Sequence, residues 1–224
     1  MGIKNLLLII IAGIHGIIGI ILILKNYKNS TNISLALMTF GAALWSFAIA
    51  MFNSTLDMST AVIWAKLYYF GSAIIVLSFL CLANYYLYVY SKSEESNLLL
   101  LIPLLIIIFV IFHPTLLIEQ ATHYDWGNDA NEKLSGHLFY ALYFFSYIIW
   151  AYLILYRKLK KSEGFLRSNL LKVIYVTLIG FIFGFTFDLI LPILGNYKLI
   201  WVGPYFTVFF VFYLADVVFK KQKN

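Results

Sequence analysis

The sequence predicts an all-α, polytopic membrane protein, a bundle of seven transmembrane helices. The 224-residue chain is 62% hydrophobic and 12% charged, whereas soluble domains are about 45–50% apolar and about 25% charged. Its apolar residues fall into seven stretches, and each has roughly the 20 residues that a helix needs to cross a bilayer. Runs such as 98–110 do not alternate with polar residues, which argues against the strands of a membrane barrel.

Short polar or basic connections separate the seven predicted helices. The first helix is expected to be retained, because its apolar core is longer than the about 7–15 residues of a signal peptide and no small-residue cleavage site follows it. The longest connection, residues 119–136, is expected to be a flexible loop. Residues 1–224 therefore form one membrane domain. The predicted spans are 6–24, 33–52, 61–83, 98–118, 137–156, 170–191 and 199–219.

The basic residues predict how the bundle is oriented. Of the 16 Lys and Arg residues, twelve fall on one side of the predicted bundle, and only Lys4, Lys66, Lys133 and Lys198 fall on the other. Cytoplasmic connections carry the excess of Lys and Arg, so we expect the N-terminus outside and the C-terminus in the cytoplasm. The net charge of +6 then anchors the chain to inner-leaflet lipids, and no nucleic-acid partner is expected.

Ionisable residues at bilayer depth indicate a candidate binding site. Placing a charged side chain there costs free energy, and such residues usually face the bundle interior. Lys66 in the third span and Asp188 in the sixth lie at similar depth near the outer side. We expect them to face one outer cavity, paired directly or through water. The alternative is that each extends separately to the outer interface. His113, Trp201 and Tyr205 complete the predicted ligand-binding set.

Histidines and carboxylates on the outer side raise the question of a metal. His113, His123 and His137 all lie there, near the acidic residues of the 119–136 connection. No tight ligand spacing such as His-x-x-x-His is present, however. We therefore expect no metal and no cofactor.

Catalytic motifs are absent from the sequence, and we expect no enzymatic activity. Asp188 and Asp216 are roughly 20 Å apart in depth at 1.5 Å per helical residue, too far for an aspartyl protease dyad. Neither His-Glu-x-x-His nor Gly-x-Ser-x-Gly occurs. The last span, 199–219, has no lysine for the Schiff base of a retinal pigment.

Two non-enzymatic alternatives to a sensor stay open. One is a small solute carrier or channel, although residues 1–90 and 137–219 show no convincing internal repeat of the kind that carriers have. The other is a membrane scaffold subunit without a ligand. Solute flux in proteoliposomes would favour the first, and co-purifying partners without ligand-induced stabilisation the second.

A series of short motifs carries a family resemblance. In order, these are Asn32-Ile33-Ser34, Ala43-Leu44-Trp45-Ser46, Ala61-Val62-Ile63-Trp64-Ala65-Lys66-Leu67, Tyr69-Phe70-Gly71, Leu191-Pro192-Ile193-Leu194-Gly195 and Trp201-Val202-Gly203-Pro204. Over nearly its whole length the chain resembles the seven-helix N-terminal sensor region of prokaryotic membrane histidine kinases. Trp45, Trp64, Lys66, Gly71, Pro192, Gly203 and Pro204 match the family pattern. Asp188 departs from it, since family members often carry a neutral polar residue there.

The resemblance implies a sensor in the prokaryotic cytoplasmic membrane that detects a ligand or a membrane state and relays a helix movement to a cytoplasmic output. Gly203 and Pro204 are a candidate compliant point in the seventh helix. The implied partners are membrane lipids, an unknown small ligand, and a second copy of the chain or a cytoplasmic kinase. No phosphoacceptor segment or nucleotide-binding domain is present, so we expect a fragment of a longer kinase or a stand-alone sensor.

Overall fold

Seven main helices and one β-hairpin make up the described part of the chain. The structure, a computed structural model, describes residues 2–86 and 101–221. Its elements are α1 (Ile3–Lys25), α2 (Ser30–Ser54), α3 (Met58–Tyr85), α4 (Leu101–Phe112), β1 (Ile118–Tyr124), β2 (Gly127–Glu132), α5 (Leu134–Lys160), α6 (Gly164–Phe185) and α7 (Gly203–Lys221). Helix α6 continues through a π-helical turn, Thr186–Ile190, and a final α-turn, Leu191–Ile193.

Five of these helices, α1, α2, α3, α5 and α6, are long and apolar enough to cross a membrane. Helices α4 and α7 are apolar but shorter in the described part. The helical membrane fold is therefore confirmed, whereas the number of seven crossings and their orientation stay predictions. The predicted fourth span, 98–118, extends too far, because α4 ends at Phe112 and strand β1 begins at Ile118. Its first residues, 98–100, lie outside the described part.

Polar side chains define where α2 and α3 begin. The Asn29 side chain accepts hydrogen bonds from the backbone N–H groups of Thr31 and Asn32, and the Asp57 carboxylate accepts one from Thr60. Such N-cap residues satisfy backbone donors that have no partner within the helix. Hydrogen bonds from the Thr60 and Ser59 hydroxyls lower the pKa of Asp57 to about 2, so this cap is charged at neutral pH.

Two glycines let α2 and α3 pack backbone against backbone. A Cβ atom on Gly71 would lie 2.7 Å from the backbone nitrogen of Trp45 and 2.9 Å from the carbonyl oxygen of Gly41. Small residues permit such close helix contacts in membranes, where packing replaces the hydrophobic effect between helices. The Gly71 position is therefore fixed by packing, and Trp45 is held at this contact.

The prediction of a flexible loop at 119–136 is wrong, since most of it forms an antiparallel hairpin. Tyr124 pairs with Gly127 across the turn, and Gly127 adopts a positive φ of 140°. The buried Asn128 donates hydrogen bonds from its side-chain amide to the carbonyls of Phe52, at 2.5 Å, and Thr55, at 2.7 Å. The hairpin thus docks on the connection between α2 and α3, and we call this side of the bundle the hairpin end.

The opposite side holds the connections at 26–29 and 161–163, and we call it the basic end. Lys158, near the end of α5, donates hydrogen bonds to the carbonyls of Ala83 (2.8 Å), Asn84 (2.5 Å) and Tyr86 (2.7 Å). Carbonyls in the last turn of a helix lack intrahelical partners, and a lysine there satisfies them and complements the helix dipole. Lys158 therefore fixes the end of α3 against α5.

The structure corrects the prediction of a compliant point inside the last helix. Helix α7 begins at Gly203, so Pro204 lies in its first turn. Proline is well tolerated there, because its missing N–H would have no intrahelical acceptor. Pro204 therefore starts the helix and does not interrupt its hydrogen bonding.

Candidate functional site

A cavity of about 40 Å³ lies among α2, α3, α5, α6 and α7. Its polar lining comes from Ser72, Asp188 and Thr207, and Gly180 and Gly184 of α6 add no side chains to the wall. Most of the remaining wall is aromatic, and we call the whole cavity the aromatic cage. Its seven rings belong to Trp45, Tyr68, Tyr69, Tyr140, Phe144, Phe181 and Phe210.

Asp188 supplies the one carboxyl group among the residues that line the cage. Both of its carboxylate oxygens are buried and have no hydrogen-bond partner among the described residues. A Cβ atom added to Gly203 would lie 2.0 Å from Asp188 Oδ2 and 3.2 Å from the Trp45 ring. The carboxylate therefore packs directly against the first residue of α7. The π-helical turn 186–190 places it there, and such turns often occur at functional sites.

Hydrogen bonds to the backbone and the side chain of Tyr69 connect the cage with the hairpin end. The Ser72 and Tyr140 hydroxyls are hydrogen-bonded to each other, and Tyr140 also donates to the carbonyl of Tyr69 at 3.2 Å. The Tyr69 hydroxyl donates to Glu132 Oε1, and that of Tyr68 lies 3.4 Å from the same oxygen. The cage is thus connected through α3 to the last residue of strand β2.

Glu132 and His137 form a buried contact of the ion-pair type beside the Tyr69 hydroxyl. Glu132 Oε2 contacts His137 Nδ1, and the two side chains are only 6% and 2% exposed. Tyr197 lies in the connection before α7. Its pKa is raised mainly by burial and, to a smaller extent, by the negative charge of Glu132. One carboxylate therefore interacts with β2, α3, α5 and that connection at once.

The structure brings two of the predicted site residues, Lys66 and His113, together, although the contact is to the histidine backbone. Lys66 Nζ donates to the carbonyl oxygen of His113 at 3.0 Å, and the His113 ring accepts from the backbone N–H of Thr115 at 3.3 Å. The histidine ring therefore serves the local chain after α4. It does not contribute to the aromatic cage.

The predicted direct pair between Lys66 and Asp188 is wrong. No ion pair joins them in the described part of the chain, where Lys66 is bonded to His113. At about 100° per residue, the cage-lining Tyr68 and Ser72 lie about 200° and about 240° around α3 from Lys66. Lys66 consequently faces α4, whereas Asp188 faces α7.

Trp201 and Tyr205 lie apart from both Lys66 and Asp188, at the hairpin end. Trp201 lines a polar cleft of about 280 Å³ there. The Tyr205 hydroxyl donates to the carbonyl of Lys4 at 3.3 Å, and the Lys4 ammonium lies 5.5 Å from the centre of the Trp201 ring. The two aromatic rings contact each other edge to face. These residues hold the start of α7 against the first turn of α1.

Sequence reasoning missed the Glu132–His137 contact and the tyrosines around it. Tyr68, Tyr69 and Ser72 recur at a spacing that places them on one side of a helix, and this signal was available. The partner Glu132 comes from a hairpin that was not predicted. No group of three or more His, Cys, Asp or Glu gathers within residues 2–86 and 101–221 as a metal site would require.

The fold and its buried polar groups define a multi-pass helical membrane protein. A family model described as the N-terminal 7TM region of histidine kinase matches residues 7–220. The chain belongs to this family of membrane sensor regions, which confirms the resemblance found in its sequence. Comparisons with curated proteins and with solved structures gave no match.

Proposed function

We propose that the chain detects a ligand or a membrane state and relays it as a movement of α7 to a cytoplasmic output. The observation that carries this proposal is the contact between Asp188 and Gly203. An unpartnered carboxylate lies against the first residue of the helix that leads to the end of the described chain. Any change in its charge or its neighbours changes how the start of α7 packs.

The packing of α7 supports this relay. A Cβ atom on Gly180 of α6 would lie 2.3 Å from Phe210 Cδ1, and the Thr207 hydroxyl lies 3.3 Å from His15 Nε2 of α1. Helix α7 is therefore held between α6 and α1 at the level of the cage. A ligand shifts such a bundle only if it binds one arrangement more tightly than another. Trp201 and Tyr205 contribute by fixing the start of α7 to α1.

The charge distribution supports a cytoplasmic basic end. The helix ends and connections on this side include Lys25, Lys28, Arg157, Lys158, Lys160, Lys161 and Arg167, whereas Lys4, Lys66, Lys133 and Lys198 belong to the hairpin end. Positive charge is typical of the cytoplasmic side. Lys92 and Lys223, which the sequence also assigns to this side, lie outside the described residues. A second copy of the chain or a kinase segment at the basic end would receive the movement of α7.

Distances between two spin labels test the relay. In a Cys81→Ala background, Lys161→Cys places one label in the connection after α5, and Phe212→Cys places the other on an exposed position of α7. We expect Asp188→Asn to shift the distance distribution by about 1–2 Å, the scale of helix shifts in switching proteins. Asp57→Asn is the matched control, since asparagine also caps helices well. An unchanged distribution in Asp188→Asn would contradict the relay.

A further inference from the structure

We propose that the aromatic cage binds a small amine cation, such as ammonium or methylammonium, with Asp188 as its counter-charge. The proposal deepens the sensory function and rests on it for the consequence of binding. Binding itself is a separate property of the cage. Three features of the cage support binding: the unpartnered Asp188 carboxylate, the aromatic walls and the small size of the space.

The Asp188 carboxylate lies buried in the cage without a hydrogen-bond partner among the described residues. Burying an ionised carboxylate is costly unless a cation or several donors accompany it. Neither Asp188 oxygen has such a partner in the part of the chain that the structure describes. Lys66 is bonded to the His113 carbonyl and Lys4 lies over the Trp201 ring. A bound monocation would supply the positive partner that the Asp188 carboxylate lacks.

The walls favour an amine over a metal ion. Faces of tryptophan and tyrosine rings attract ammonium groups, and sites for organic ammonium ions combine several such rings. The cage has seven rings and exposes little polar surface. Hydroxyls of Ser72 and Tyr140 are already bonded to each other, and that of Thr207 donates to the Pro204 carbonyl. A hard metal ion needs six or more oxygen ligands, or retains its water, whereas an amine needs one carboxylate and aromatic faces.

The size of the cage limits the amine to a few heavy atoms. A cavity of about 40 Å³ holds about three water-sized groups at the about 10–15 Å³ that each requires. Ammonium and methylammonium fit this limit. Gly184 faces the same space, since a Cβ atom there would meet only the Trp45 ring, at 4.0 Å. A larger side chain at position 184 would therefore occupy the space of the ligand.

Equilibrium binding of radiolabelled methylammonium to the full chain in lipid nanodiscs tests the proposal. At neutral pH and constant ionic strength, we expect saturable binding of one methylammonium per chain. We expect Asp188→Asn to weaken it by at least about tenfold, the factor that 1.4 kcal/mol represents. Asp57→Asn should bind as the unmodified chain does. Absence of saturable binding, or equal binding in Asp188→Asn, would overturn the proposal.

Two further arms keep the test decisive. Gly184→Val fills the cage but retains Asp188, so methylammonium binding should be lost in a variant whose helical content is unchanged. Retained binding in Gly184→Val would overturn the proposal. Sodium chloride at matched ionic strength should not displace methylammonium, and displacement at equal concentrations would overturn the preference for an amine.

The binding experiment and the spin-label experiment can each refute one hypothesis without refuting the other. Methylammonium binding that depends on Asp188, without any change in the spin-label distances, would refute the relay and retain the amine site. A distance change in Asp188→Asn without methylammonium binding would retain the relay and refute the ligand class.

Discussion

Lys66 donates a hydrogen bond from its Nζ to the main-chain oxygen of His113, 3.0 Å away. A lysine of α3 thereby satisfies a carbonyl just beyond the end of α4. Carbonyls at a helix C-terminus have no partner within the helix, and a positive charge there also complements the helix dipole. Lys66 is 8% exposed, so this bond is largely protected from competing water.

The first prediction is that Lys66 and Asp188 act independently. Lys66→Met should lower the free energy of unfolding by about 1–3 kcal/mol, the range for a hydrogen bond to a charged group. Because Lys66 and Asp188 share no partner, its effect should add to that of Asp188→Asn within about 0.5 kcal/mol. Unfolding by SDS in mixed micelles measures all four members of the cycle. A coupling energy above about 1 kcal/mol would contradict this independence.

The second prediction compares a buried carboxylate with an exposed one on the same hairpin. Glu132→Gln should destabilise the protein by about 3–5 kcal/mol, because it breaks a buried pair and disturbs the tyrosines bonded to it. Glu119→Gln should cost less than about 1 kcal/mol, since the Lys133–Glu119 pair is 46% and 45% exposed. The same SDS titration measures both. Equal effects would mean that the Glu132–His137 contact does not anchor the hairpin.

The sequence was sufficient for the helical membrane class because apolar runs of about 20 residues have few other structural solutions. It also marked Lys66 and Asp188 as ionisable residues within apolar stretches. It could not show which neighbour each one faces, because that depends on helix rotation and, for Asp188, on the π-helical turn 186–190. A period of 3.6 residues assumes a regular helix, and a π-turn breaks this register.

The hairpin was unpredictable for a different reason. Strands β1 and β2 are short and largely polar, so they lack the alternation that normally indicates a strand. They are held by tertiary contacts, above all the bonds from Asn128 to the carbonyls of Phe52 and Thr55. The aromatic cage likewise combines rings from five helices. The spacing of Tyr68, Tyr69 and Ser72 marks one wall of the cage, but no local pattern shows which other rings meet it.

The third prediction concerns the end of α3. Lys158→Met removes a group that bonds to the carbonyls of Ala83, Asn84 and Tyr86, and it should destabilise the protein by about 1–3 kcal/mol. Hydrogen exchange should quicken in the last turn of α3. Lys160→Met makes the same charge change and is the control. Among the described contacts, the Lys160 ammonium has only the exposed Tyr156 ring, whose centre is 4.7 Å away. Similar exchange in both variants would show that Lys158 does not cap α3.

The fourth prediction tests the close contact between Asp188 and α7. Gly203→Ala should destabilise the protein by about 1–3 kcal/mol, the usual cost of overpacking, because its Cβ would lie 2.0 Å from Asp188 Oδ2. Gly184→Ala faces the same cage but meets Trp45 only at 4.0 Å, so it should be neutral or stabilising by up to about 1 kcal/mol. Thermal unfolding in detergent compares them. A neutral Gly203→Ala would mean that the Asp188 side chain or α7 can move aside without cost.

The fifth prediction is a pH dependence located in the hairpin. Burial, and to a smaller extent the negative charge of Glu132, raises the pKa of Asp129 to about 6. The folded state therefore binds a proton more tightly than the unfolded state, whose aspartates have a pKa near 3.9. Protonated Asp129 therefore contributes to the stability of the folded state below about pH 4. This contribution is lost as the pH rises through about 6.

Asp129→Asn should remove this loss, because asparagine is neutral at every pH in that range. The variant should gain stability relative to the unmodified chain between about pH 4 and about pH 7, and its own melting temperature should vary less over the same interval. Thermal unfolding at a series of pH values measures the difference. Asp57→Asn is the control, since the low pKa of Asp57, about 2, places its titration outside this interval. Parallel curves for Asp129→Asn and the unmodified chain would show that Asp129 is not the titrating group.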